Sequence, residues 1–521
     1  MKLRIDNRDV EVAEGATVLE AATKAGIAIP TLCHLPGKPC QTSCLVCVVR
    51  IDGGKRLVPS CATKAREGMH VDSSGPQIRA ARRTALELLF GYHYGDCLAP
   101  CETVCPTQFD VPELIRLAKS WQLEEAMLVM LERAALPGVL ARVCPAPCER
   151  SCRRQQGDGS LAVRSVERLV ADADLAAGCV LPICRKDSGK RVAIVGAGPA
   201  GLATAFHLRR FGHACALFDA APVAGGALRN ALPEEVLPAA VLDAEVSRIL
   251  RLGATFHGGR RLGSDLVLSD LRRDYDAVVL ALGVIDAEQA KALGLAYAKN
   301  GLAAASGSGA TAQPGIFVTG SAMLPAQQAV RAIASGRGVA VAVDRFLAGA
   351  EPQAEGRGWS VRVGKIPAPD LQHMIRLASA SPRHEPSHGG CLEEDAAKDE
   401  ASRCLACSCS SRHDCTLRRY GDEYQAEPAR FRSPLPPLQR DDSHPLVSYE
   451  PGKCIACGIC VSIAADYGEQ LGLGFAGRGY TIQVAVPLGG SMREALQVSA
   501  VACAAACPTG AIAVKAQACP P

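Results

Sequence analysis

The chain has 521 residues, 48% of them hydrophobic and 4% aromatic, with 57 basic residues against 53 acidic ones and a net charge of +4. That length predicts three or more domains, while the balanced charge argues against nucleic acid or an anionic membrane as a partner and no apolar run is long enough for a membrane span. The outlier is cysteine, 25 residues grouped in blocks; with a charged, alternating start (MKLRIDNRDVEV) unlike a signal peptide, this predicts a cytoplasmic protein whose thiols bind metal rather than pair as disulfides.

Residues 1–78 read as short alternating strands (KLRIDNRDVEV) and one helix (TVLEAATKAG), followed by a loop with Cys33, Cys44, Cys47 and Cys61 spaced C-x10-C-x2-C-x13-C. Four thiolates suit a [2Fe–2S] cluster, two per iron; a zinc site has the same ligand count. The block resembles the N-terminal ferredoxin domain of the large iron–sulfur subunit of respiratory NADH dehydrogenase and its hydrogenase relatives. The resemblance implies a β-grasp fold with one [2Fe–2S] cluster. Cys40 fits no ligand position.

Residues 79–185 are predicted to be helical, since RRTALELLF and VPELIRLAKSWQLEEAMLVMLERAA show 3.6-type apolar spacing. The flanking segments GDCLAPCETVCPTQFDVPELI and RVCPAPCERSC resemble the N-terminal helical domain of the glutamate synthase small subunit and of dihydropyrimidine dehydrogenase. This implies two [4Fe–4S] clusters with interleaved ligands, one on Cys97, Cys101 and Cys152, the other on Cys105, Cys144 and Cys148. Each is one ligand short. The family supplies a polar side chain where Glu167 falls, and His93 precedes Cys97 at the H-x3-C spacing of a histidine-ligated cluster in the NADH dehydrogenase subunit. The plain alternatives are a surface helix residue for Glu167 and a turn cap for His93.

Residues 188–350 alternate strand-like runs (RVAIVGAG, ACALFDA, YDAVVLALG, GIFVTG) with helical ones, as in a parallel α/β sheet. RVAIVGAGPAG runs a strand into G-x-G-x-x-G (Gly196, Gly198, Gly201), with Pro199 and Ala200 opening a helix. Such glycines allow backbone to approach a pyrophosphate at the helix N-terminus. Asp219 ends the next strand, where a ribose-binding acid is expected. APVAGGALRNALP, with Gly226 and Arg229, YDAVVLALGV and PGIFVTGS extend the resemblance to the same flavoproteins and imply FAD. Relatives end the last motif in Gly-Asp; here it is Gly320-Ser321. Only residues 284–314 separate the last two motifs, too few for the relatives' inserted NADPH domain. The flavin is therefore expected to take electrons from clusters or a partner rather than from a nicotinamide on this chain.

Residues 351–440, rich in Pro, Ser and charge, read as a connector carrying one tight knot, Cys404, Cys407, Cys409 and Cys415. A [4Fe–4S] cluster and zinc are both open there. In 441–521, KCIACGICVSIA and CAAACPTGAIAV resemble a two-cluster bacterial ferredoxin. Counted by cluster, Cys454, Cys457, Cys460 and Cys507 complete one [4Fe–4S] site, and Ala464, Gln497 and Ala500 erase the second, leaving Cys503 as a bystander.

The expected fold is multidomain, α+β and α/β: a β-grasp domain, a helical di-cluster domain, a Rossmann-like FAD domain and a ferredoxin-like C-terminal domain. The expected cofactors are FAD, one [2Fe–2S] cluster and three to four [4Fe–4S] clusters. With no nucleophile triad, HExxH or P-loop, the chain reads as an electron-transfer subunit, an oxidoreductase component with no catalytic residue of its own. Its expected partners are a metal-cofactor catalytic subunit and an NAD(H)-handling subunit or ferredoxin. The rivals are a self-sufficient NAD(P)H-dependent oxidoreductase and an iron–sulfur scaffold with a vestigial flavin site.

Overall fold

The computed structural model describes residues 1–38, 40–325, 328–356, 358–386, 390–436 and 438–515; Cys519 lies outside them. It forms two compact units, one of Met1–Leu98, Gly358–Asp370 and Cys407–Pro521, the other of Ala99–Arg357 and Leu371–Ala406.

The first unit begins with a five-stranded sheet in the order Arg8–Glu11, Lys2–Ile5, His70–Asp72, Val48–Ile51, Leu57–Pro59. The first hairpin turns through Asp6 and Asn7, both at positive φ (45° and 65°), the geometry of a two-residue type I′ loop. Alternation then buries Leu3, Ile5 and Val10 on one face. The helix Val18–Lys24 covers that face and starts at a capping box: the Thr17 hydroxyl accepts from the Glu20 amide and the Glu20 carboxylate accepts from the Thr17 amide. Central strands Lys2–Ile5 and His70–Asp72 run parallel, the arrangement expected of a β-grasp. In the C-terminal part of this unit, Val447–Tyr449 pairs antiparallel with Ile512–Val514, and the helices Ile459–Asp466 and Ala500–Ala506 pack together beside that ribbon.

The second unit joins a helical part to a Rossmann-like part. The helices Val111–Lys119, Leu123–Leu131, Pro137–Val143 and Val163–Ala176 enclose an apolar core that includes Leu114, Met127, Leu136 and Val166. The long helical run expected after residue 110 breaks at Trp121, whose φ is 58°. The parallel sheet has the order Ile316–Val318, Ala277–Leu280, Arg191–Val195, Ala214–Phe218, Thr255–His257, a doubly wound arrangement with its reversal beside the first strand. Residues 284–314 fold as the short helix Ala287–Ala292 and a two-stranded hairpin, not as a further nucleotide domain.

The mixed α/β fold class matches expectation, and each compact unit draws on more than one stretch of the chain. The helix Pro76–Gly91 goes with the first unit. The expected connector 351–440 contains the helices Ala368–Leu377, Glu394–Ser402 and Thr416–Glu423 and is divided between the units. Leu371, Ile375, Ala397, Ala401 and Leu417 of these helices are buried, while Leu377 is exposed. Sparse but fully buried apolar positions dock these helices, and a polar composition masks them. Among the described residues, no helix is long and apolar enough to cross a membrane.

Candidate metal centres and cofactor cavity

In the N-terminal domain a loop bends through Thr42 and Leu45 at positive φ (54° and 53°) and brings four buried thiols together. The Sγ atoms of Cys33 and Cys44 lie 3.4 Å apart, and those of Cys47 and Cys61 3.3 Å apart. Two close pairs are what two irons, each held by two thiolates, require. In each pair, the hydrogen bond from the partner thiol draws one member down, Cys33 to about 5 and Cys47 to about 6, against the opposing effect of burial. The sharing of a proton within each pair favours thiolate character in one member, and metal ligation needs the thiolate. Cys40 is only partly buried, with its Sγ 4.0 Å from the Cys33 carbonyl, outside both pairs.

In the helical part, Pro100–Val104 packs on Pro147–Arg150 and so brings Cys101 and Cys105 beside Cys148 and Cys152. Burial first, then the charges of Glu167, Cys105 and Cys144, push the Cys148 thiol well up. Burial and then Glu167 push Cys144 to about 12. Burial, reinforced by Glu149, raises Glu167 to about 8. Glu167 is therefore no surface residue: it sits buried among Cys105, Cys144 and Cys148, one carboxylate with three thiols.

His93 is also buried. Burial, with the charge of Lys453 adding to it, lowers its pKa to about 3, and its Nδ1 has no hydrogen-bond partner among the described residues. A neutral imidazole with an orphaned nitrogen fits a ligand better than a turn cap. In its unit, Cys97 lies beside Cys409 and Cys415: the Cys409 amide donates to the Cys97 carbonyl at 3.4 Å, and both thiols contribute to raising that of Cys415. Cys404, in the other unit, is raised to about 11 by burial and by Cys152. Cys407 is partly exposed.

In the C-terminal module, Cys454, Cys457, Cys460 and Cys507 line one small apolar cavity with Tyr449 and Val484. Cys503 turns away, its Sγ 3.7 Å from the Cys460 carbonyl. Among the described residues, no three His, Cys, Asp or Glu side chains converge on a single ion position.

A second cavity, of about 720 Å³, opens at the carboxyl end of the Rossmann sheet. Gly196, Gly198, Pro199, Ala200, Asp219 and Gly226 line one side and Ser321 another. Gly201 lies at the turn's floor, where a Cβ would fall on the Gly196 carbonyl. Gly320, at φ 66°, leaves room beside the Ala200 methyl. Asp219 accepts from the Ala197 amide at 2.6 Å and steadies the turn. Arg229 faces elsewhere: it donates to the Ala224 carbonyl at 3.0 Å and pairs with Asp243. Arg260 and Arg261 line the cavity instead. The only sequence signal for them is the Arg-Arg pair just past the strand Thr255–His257.

Three domain families match the chain. Residues 1–76 match the 2Fe-2S iron-sulfur cluster binding domain, and residues 95–179 match dihydropyrimidine dehydrogenase domain II, 4Fe-4S cluster. Residues 194–248 match the NAD(P)-binding Rossmann-like domain. The chain thus carries a 2Fe-2S cluster binding domain at residues 1–76, followed by a 4Fe-4S one. Among its curated relatives, this iron–sulfur protein is 39% identical over 208 residues to the NADP(+)-dependent formate dehydrogenase subunit beta of Moorella thermoacetica, covering 36% of this chain and 29% of that protein. It is 34% identical over 180 residues to the glutamate synthase [NADPH] small chain of Bacillus subtilis (strain 168), covering 34% and 36%. It is 34% identical over 188 residues to the NAD-dependent dihydropyrimidine dehydrogenase subunit PreT of Escherichia coli (strain K12), covering 36% and 46%. The chain spans less than half the length of each.

Proposed function

We propose that this iron–sulfur protein is an electron-transferring flavoprotein subunit of a multi-subunit oxidoreductase. It binds FAD in the Rossmann cavity, one [2Fe–2S] cluster at Cys33, Cys44, Cys47 and Cys61, and three to four [4Fe–4S] clusters. It works in the cytoplasm between a metal-cofactor catalytic subunit and an NAD(H)-handling subunit or ferredoxin. The observation that carries this reading is the combination in one chain of grouped thiols in both units with a dinucleotide-type cavity. Clusters pass single electrons, and a flavin links one- to two-electron chemistry. The chain's own residues supply thiolates, a buried imidazole and a glycine turn that admits a pyrophosphate. The relatives, two of them named as subunits and one as a small chain, support a partnered role.

Anaerobic purification from the native host tests the proposal. The expected result is about 14 to 18 irons per chain, one FAD and a co-purifying redox subunit; a chain with neither iron nor partner overturns it. A second reading draws on the NAD(P)-binding profile of 194–248 and on Arg260 and Arg261 in the cavity, namely a self-sufficient NAD(P)H-dependent oxidoreductase. Release of NAD(P) rather than FAD on denaturation, with rapid bleaching by NADPH alone, selects it.

A further inference from the structure

The knot Cys404–Cys415 looks, in sequence, like one site. Its residues fall in two places. Arg154, two residues after Cys152, donates to the carbonyl of Arg403, the residue just before Cys404. Arg403, fully buried, donates in return to the carbonyls of Asp158 and Gly159 at 3.3 and 3.0 Å and to Glu400 at 2.8 Å. Glu400 also accepts from the Ala162 amide at 2.8 Å. These reciprocal arginine contacts tie the end of the helix Glu394–Ser402 to the loop after Cys152. Cys101, Cys152 and Cys404 pack against the same apolar core.

Cys409 and Cys415 are held in the other unit. Asp96 and Ser408 form a parallel bridge, the Cys409 amide reaches the Cys97 carbonyl, and Cys415 caps the helix Thr416–Glu423 by accepting from the Arg418 amide at 3.4 Å. Lys453 threads between, close to Gly95 and Gly510, the latter directly under the Cys409 sulfur. The orphaned Nδ1 of His93 belongs to this unit too.

We propose that the knot holds no cluster of its own but is shared: Cys404 joins Cys101 and Cys152 in one [4Fe–4S] site, and Cys409 and Cys415 join His93 and Cys97 in another. The proposal rests on the iron–sulfur function above and changes its ligand sets. Cys404, Cys409 and Cys415 lie some 250–320 residues downstream of the thiols they join, so the segment after the Rossmann domain becomes part of the metal centres.

The test is ligand additivity in anaerobically purified full-length protein. Cys404→Ala and Cys415→Ala each lose about four irons, and the double variant about eight. Cys97→Ala combined with Cys415→Ala loses only about four. Retention of the [2Fe–2S] EPR signal shows that the fold survives. Should the alanine variants fail to fold, Cys404→Ser and Cys415→Ser keep a ligand atom and are expected to shift two different [4Fe–4S] EPR signals. A Cys404/Cys415 double variant that loses no more iron than either single one, or serine variants that shift one and the same signal, overturns the proposal. Wild-type protein carrying only about two irons per chain fails the underlying reading instead.

Discussion

The charge of the Cys33 thiolate in the N-terminal domain reaches the Cys457 thiol of the C-terminal module and adds to the burial that pushes it up to about 12. Cys507 stands in the same relation to Cys415, behind burial, Cys409 and Cys97. Around these contacts Lys38 pairs with Asp466, and the Gln41 side chain packs over Gly458. The first unit thus sets its thiol groups in a row, with the C-terminal set in the middle. In the fully reduced protein the [2Fe–2S] EPR signal is expected to be broadened by its neighbour, and Cys507→Ala to narrow it. Identical line shapes and relaxation in the two proteins would count against the row.

Gly201 tests the cofactor cavity. A side chain there meets the Gly196 carbonyl, and a Cβ at Gly336 would meet the Ala200 carbonyl, so the turn and the helices Pro199–Arg210 and Ala329–Leu347 have no slack. The Thr204 hydroxyl adds a bond to the Gly336 carbonyl at 3.1 Å. Gly201→Ala is expected to cost about 1–3 kcal/mol of stability and to lower bound flavin several-fold while leaving iron content unchanged. Thermal melts and flavin-to-iron ratios measure both.

His207 makes the second unit acid-sensitive. It is buried against Phe206, its Nε2 has no hydrogen-bond partner among the described residues, and burial, aided by Arg337 and Arg210, holds its pKa well below 6.5. The unfolded chain takes up a proton near pH 6.5 and the folded one does not. The contribution to stability is therefore complete above about pH 6.5 and is lost as pH falls, by up to about 1.4 kcal/mol per pH unit. His207→Phe is expected to flatten that acid limb. Parallel slopes of melting temperature between pH 7 and 5 in variant and wild type would sink the assignment.

What sequence made legible follows from how local each signal is. The glycine turn from Gly196 to Gly201 and the Cys33–Cys61 loop are contiguous, and their spacing carries the geometry. Glu167 and His93 could be placed only by resemblance, because burial decides their role and one charged residue on a helix does not reveal it. Arg229 pairs with Asp243, fourteen residues on, a partner that the local motif does not announce. The division of residues 351–440 was invisible for a related reason. Its docking relies on a few buried alanines and leucines and on Arg403, a residue that composition counts as surface.

Arg403 is therefore the sharpest single test of how the second unit is held together. Its guanidinium is fully buried, and besides Glu400 and the loop carbonyls it donates to the Ser381 carbonyl at 2.9 Å. Arg403→Met keeps the volume but strands the Glu400 carboxylate and those carbonyls, a loss of about 3–5 kcal/mol. Arg403→Lys is expected to recover little, because one ammonium cannot serve a fork of acceptors spread over three segments. If the clamp positions Cys404, both variants also lose about four irons, and the loss should match that of Cys404→Ala without adding to it. Destabilisation with full iron retention would separate the clamp from the metal site; full stability in Arg403→Met would show that the buried contacts are not what binds the helix Glu394–Ser402 to its unit.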